Sequence, residues 1–234
     1  MVGLLELVPR QRGRKHVELE ERRILGTRFL CAAVAETPAL TKRARMDRAL
    51  RRLEKSGVTA LVPPRDVSVP DRLPVVDTLP LARELAAELV RLELARQGVS
   101  PGSARVAVAA KSPSGELVRA VTELALRSRY LLLDLPWGGE DLCRQLRREY
   151  GVSVQLNPGW DRIIQADAVV LLDPPEQTVE RSVALYPGGG LVLPPLAVPP
   201  ALETQLEGPW DRPALLAALR QAGVLRPGQI TIDA

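Results

Sequence analysis

The sequence predicts an α/β protein, a largely parallel sheet with helices on both faces. Three observations predict it. Apolar runs of strand length alternate with amphipathic helical patterns along most of the chain. Many helical patterns start at a Ser, Thr or Asp and stop at a glycine. The composition, 46% hydrophobic and 26% charged over 234 residues, is enough to bury a core and argues against wholesale disorder.

Val2 to Val8 reads as a short strand. Pro9 to Arg23 is charged and lacks a clear period, and reads as loop or weak helix. Arg28 to Ala35 reads as a buried strand between Gly26 and the Glu36-Thr37-Pro38 turn. Thr41 then caps a helix to Ser56, with Met46, Ala49, Leu50 and Leu53 on one face and Gly57 as its stop. Val58 to Val62 completes a strand–helix–strand unit, for which parallel strands and a right-handed crossover are expected. Asp66 to Thr78 is linker-like. A helix follows from Leu79 to Gln97, striped by Leu81, Leu85, Leu89 and Leu92. A boundary near residue 99 divides a smaller α/β part, 1–98, from a second part, 99–234.

The second part alternates more regularly. Arg105 to Ala110 is a strand, and Ser112-Pro113 opens a helix to about Arg127. Tyr130 to Leu135 is the next strand, Glu140 to Tyr150 a helix, and Val152 to Leu156 a third strand. A short helical turn covers Asp161 to Gln165, and Ala168 to Leu172 is the fourth strand. Gly190 to Leu193 is expected as a fifth, with Val183 to Tyr186 pairing to it across the glycine turn. Asp211 caps a last helix to Gln221, and Ile230 to Ile232 reads as an edge strand.

Composition excludes several function classes. The one histidine, His16, lies in a charged N-terminal stretch, and the only cysteines are Cys31 and Cys143. A disulfide framework or a His- or Cys-rich metal cage is therefore ruled out. Aromatics are 3%, too few for a base-stacking surface. No recognisable catalytic set names a reaction. Residues 1–57 carry 14 Lys/Arg against 7 Asp/Glu, and Arg10, Arg12, Arg14 and Lys15 form a compact basic run. No nucleic-acid motif accompanies the run, so a solvated surface is the preferred reading over a phosphate-backbone contact. The longest uncharged run, Ser182 to Leu202, is broken by prolines and glycines, so no membrane span is expected. The arginines follow the short apolar start, the reverse of a secretory leader, and a cytoplasmic location is expected.

In open α/β sheets ligands bind outside the carboxyl ends of strands. The residues that follow the strands are thus the candidates. They are Lys111, Ser112, Ser114 and Gly115 after the first strand of the second part and Asp134 after the second. Asn157 follows the third and Asp173 the fourth, and Trp137 and Trp160 lie in the same loops. Glu36, Lys42, Cys31 and Cys143 are weaker candidates, read as capping, surface or core residues.

The strand RVAVAA, the segment KSPSGELVRAVTEL and the strand YLLLD resemble a Rossmann dinucleotide-binding unit over about 30 residues. The resemblance implies an anion at the helix amino terminus and an acid on the ribose. Asp134, 23 residues after Lys111, takes that acidic place, which favours NAD over NADP. Gly115 is the only glycine of the turn, so Lys111 and the hydroxyls of Ser112 and Ser114 would supply the anion contacts. A plain helix cap at Lys111 to Gly115 and a strand-end turn at Asp134 are the competing readings. The resemblance implies a nucleotide- or dinucleotide-binding protein, with an NAD-dependent oxidoreductase as the finer expectation. The alternative is a non-catalytic α/β protein acting through a protein partner or as a homo-oligomer.

Overall fold

A computed structural model describes residues 1–9, 17–36, 39–226 and 228–233. The basic run from Arg10 to Lys15, His16 and the Thr37-Pro38 pair lie outside the described residues. Cα packing divides the chain into two compact units: residues 1–78 with 196–231, and residues 79–195 with 232–234. The expected boundary near residue 99 falls inside the second unit.

The first unit begins with β1 (Val2–Val8), β2 (Val17–Ile24), β3 (Thr27–Ala35), α1 (Ala39–Lys55) and β4 (Ala60–Val62). The sheet order is β2-β3-β1-β4, with β1 parallel to β3 and β4 and β2 antiparallel to β3. Val17 to Ile24 is thus a strand, not the expected loop or weak helix. Its alternation is masked by Glu20 and Arg22, which pair with each other on one face of the strand. Leu25 and Gly26 turn the β2–β3 hairpin at positive φ, +47° and +80°, as a two-residue loop requires. Helix α1 starts at Ala39, so Thr41 lies inside its first turn and is not its cap. The predicted face of Met46, Ala49, Leu50 and Leu53 is buried on Leu5, Ala32, Val34 and Leu61 of the sheet.

The second unit contains α2 (Leu79–Glu84), α3 (Ala86–Arg96), β5 (Arg105–Ala109), α4 (Gly115–Arg127), β6 (Tyr130–Asp134), α5 (Gly139–Tyr150), β7 (Val154–Leu156), α6 (Trp160–Ile164), β8 (Ala168–Leu171) and β9 (Ser182–Ala184). The single helix expected from Leu79 to Gln97 is two helices. Both pack against α4, and α3 also packs on β8, which places them with the second unit. The five strands are all parallel, in the order β7-β6-β5-β8-β9. The fifth strand is Ser182–Ala184, and residues 190–193 form none. The predicted hairpin is thereby corrected: Val183 is the more buried segment and extends the parallel ladder of β8.

Strand alternation sends Ala107, Ala109, Leu132, Val169 and Leu171 to one face, where Ile163 of α6 covers them. Helices α3, α4 and α5 pack in succession and contact β8, β6 and β7 respectively. In chain order the sheet reads third, second, first, fourth, fifth, the doubly wound order of a Rossmann-like fold through its fifth strand.

The chain then returns to the first unit through β10 (Leu196–Ala197), α7 (Pro200–Glu203) and α8 (Arg212–Gln221), and ends with β11 (Thr231–Ile232), which pairs with β10. Asp211 caps α8 as expected, its carboxylate accepting from the Ala214 N–H at 2.9 Å. No helix among the described residues is long and apolar enough to cross a membrane.

Candidate functional site

From β5 the chain steps one way to β6 and β7, and the other way to β8 and β9. The loops after β5 and β8 therefore diverge, and a crevice opens between them at the carboxyl end. It is a cleft of about 360 Å³, within the range of small-molecule sites. Ala109 and Ala110 are small enough to leave room. Pro136, Trp160, Leu171, Pro174 and Pro175 provide apolar walls. Lys111, Asp134, Asp173 and Glu176 bring the charges, with Gln177 beside them.

Main-chain bonds fix these strand ends. The Ala110 N–H donates to the Asp134 carbonyl at 3.0 Å, and the Leu172 N–H to the Ala109 carbonyl at 3.0 Å. The Lys111 N–H donates to the Asp173 carboxylate at 2.8 Å. The Asp134 carboxylate has no hydrogen-bond partner among the described residues, and burial alone pushes its pKa up. It is a partly dehydrated acceptor facing a cleft. The indole Nε1 of Trp160 is buried and also without a partner. The Asp134 carboxylate is a group whose hydrogen bonding a guest would complete.

Of the residues expected at the site, the fold brings Lys111, Asp134 and Asp173 together. Ser112, Ser114, Gly115 and Asn157 do not line the cleft. Ser114, not Ser112, is the cap of α4, and its hydroxyl accepts from the Leu117 N–H at 3.1 Å. Asn157 is a splice between strands: its N–H donates to the Leu133 carbonyl at 2.7 Å, and its Oδ1 accepts from the Leu135 N–H at 2.9 Å. Trp137 stands 75% exposed, away from the cleft lining. Pro136, Glu176 and Gln177 were not singled out in the sequence. Their signal is adjacency, since proline-stiffened chain leaving Asp134 and Asp173 has to pass the crevice mouth.

A second polar cluster lies in the first unit. Glu6, Glu20 and Cys31 place their ligand atoms within 4.8 Å of one another. Arg22 already supplies the cation there, donating to Glu6 at 3.1 Å and Glu20 at 2.8 Å while stacking on Trp210 at 5.1 Å. Burial, reinforced by Glu6, pushes the Cys31 thiol up to about 12, so it stays protonated at neutral pH. Burial also raises the Cys143 thiol. Glu36 is exposed, and Lys42 lines a separate groove with Asp66 and Asp71.

No family model matches the chain, and no curated protein matches it. Two solved structures show a remote likeness. One is shikimate 5-dehydrogenase from Listeria monocytogenes in complex with shikimate and NAD, at 8% identity and a TM-score of 0.29, covering 70% of this chain and 65% of that one. The other is described as an aspartate carbamoyltransferase from Trypanosoma cruzi, at 13% identity and a TM-score of 0.28, covering 80% of this chain and 69% of that one. The Rossmann-like assignment rests on the strand order and the all-parallel sheet.

Proposed function

We propose that the second unit binds a nucleoside-containing small molecule in the cleft at the carboxyl end of its sheet. The carrying observation is Asp134, an unpartnered, partly buried carboxylate at the end of the strand next to the switch in order. A carboxylate there accepts from both hydroxyls of a ribose, and its charge makes those bonds stronger than neutral ones. Trp160 and the prolines offer the flat apolar surface that a base needs.

NAD contains such a ribose, and its adenosine half suits these residues. Its pyrophosphate suits them less, because the first turn amide, at Lys111, is held by Asp173. The proposal is one of binding, and no turnover is assigned. Thermal-shift titration with adenosine, NAD, NADP and ATP tests it, since a ligand specific for the folded state raises Tm. A rise with adenosine that is lost in Asp134→Asn supports the proposal. No rise with any of the four at millimolar concentration contradicts it.

A second reading, assembly through a protein surface, is favoured by Trp137, a large apolar side chain left 75% exposed. Light scattering decides it. An oligomer dispersed by Trp137→Ala supports assembly, and a monomer in both chains counts against it.

A further inference from the structure

We propose that the cleft selects a nucleoside without phosphate, one with a neutral or positively charged group at its 5′ carbon. This rests on the ribose reading of the same cleft, and names its ligand class by charge.

Three features oppose a phosphate. First, the turn after β5, where a phosphate would meet backbone amides, is already occupied by the chain's own anion. The Lys111 N–H donates to the Asp173 carboxylate at 2.8 Å, so an incoming phosphate must displace that carboxylate and then sit beside it. Second, the amino end of α4 is partly satisfied and already carries a negative charge. Ser114 caps the Leu117 N–H, and Glu116 in the first turn brings a negative charge to the helix dipole. Arg83, the cation paired with that first turn, is engaged too. It pairs with Glu116 and donates to the Leu185 carbonyl at 2.9 Å and the Leu172 carbonyl at 3.3 Å. Third, the charged groups lining the cleft are three carboxylates, Asp134, Asp173 and Glu176, against one ammonium, Lys111. Their summed field attracts a cation and repels an anion.

The same features suit an ammonium or another cationic group on the 5′ carbon. With the ribose on Asp134, such a group would lie toward the Lys111 turn, where Asp173 has acceptor capacity beyond the single amide bond. The hydroxyl of plain adenosine is the neutral reference.

The test is a three-ligand series on the full chain: adenosine, 5′-amino-5′-deoxyadenosine and AMP. They share base and ribose and differ in charge at one position. Calorimetric titration at low salt is expected to rank the amine above adenosine and adenosine above AMP. The span from amine to AMP should be roughly tenfold or more. Added salt narrows that span. Asp173→Asn, which keeps an oxygen for the Lys111 N–H, also narrows it, and so does Glu176→Gln, an exposed change that leaves the turn intact.

AMP binding as tightly as the amine, or a span indifferent to both variants and to salt, overturns the charge inference while leaving the ribose reading standing. Failure of all three ligands to bind removes the ribose reading, and this inference with it.

Discussion

At the carboxyl end of the five-stranded sheet, the cleft lining sets Asp134, Asp173 and Glu176 against Lys111. At the starts of β5, β6 and β7, a groove of about 700 Å³ is lined by Arg105, Arg129 and, from α6, Arg162, with no carboxylate among its lining residues. Both ends are built from the same strands and lie roughly 15 Å apart, the length of a five-residue strand. The difference between them is burial more than charge. The three arginines are exposed and keep their water, and Arg129 rests on Tyr130 at 5.4 Å. Asp134 is partly stripped of water by burial, and its carboxylate has no protein partner among the described residues. A solvated charge is the ordinary state of an arginine-rich surface. A dehydrated, unpartnered acceptor is not, and it marks the more informative end.

The largest expected effect comes from the strand shared by both ends. Leu133 is fully buried in β6, and Leu133→Ala is expected to cost about 2–5 kcal/mol in a denaturant melt. Nucleoside binding should be lost with the fold. A variant of unchanged stability would show that β6 does not organise either end.

Gly139 comes next. A Cβ there would run into the Leu156 side chain, so α5 sits close on β7 where no side chain intervenes. Gly139→Ala is expected to cost about 1–3 kcal/mol by overpacking. Its effect should be felt at the carboxyl end, and a neutral result would mean that Leu156 yields freely.

Reversing the three arginines sharpens the comparison further. The ends are separated by more than the roughly 8 Å screening length at physiological salt. Glutamate at 105, 129 and 162 is thus expected to leave nucleoside affinity within about twofold. A larger change would mean that the amino-end charge reaches the cleft.

The smallest effect concerns pH. Burial raises the Asp134 pKa in the folded chain, so folding favours its neutral form. Below the ordinary carboxylate value the acid is neutral in both states and costs nothing. As pH rises from that value through the raised one, the folded chain must ionise a partly buried group and loses stability. Asp134→Asn is expected to match the parent at low pH and to melt slightly higher at neutral pH. The variant should lose nucleoside binding at the same time. A variant that melts lower at neutral pH would show that the carboxylate is structurally paired.

How much of this was legible in the sequence follows from what each residue type reports. Alternating apolar segments and helical stripes are local signals. They placed β5, β6, β8 and the helices between them, along with the strand-end residues Lys111, Asp134 and Asp173. Strand order is not local, and it decides which loops diverge. Ser114 and Asn157 are polar strand-end residues like Asp134, but their hydrogen bonds go to the Leu117 and Leu135 amides, and no sequence pattern separates these uses. β2 was hidden because Glu20 and Arg22 pair with each other across its polar face. The segment Gly190 to Leu193 misled because a short apolar run beside glycines has no fixed partner. It leaves Val192 86% exposed, while Val183 takes the place beside β8.

The most direct test of the cleft uses Trp160. Its side chain lines the cleft together with Asp134 and its indole N–H is buried without a partner among the described residues, whereas Trp210 belongs to the first unit and Trp137 stands in solvent. In an amide and indole NMR titration of the full chain with adenosine, the Trp160 indole signal and the Lys111 and Asp134 amides are expected to shift together. The Trp210 and Trp137 indole signals should stay in place. A saturable titration in which Trp160 does not move would contradict the site, and so would one in which the shifts gather around Arg105, Arg129 and Arg162.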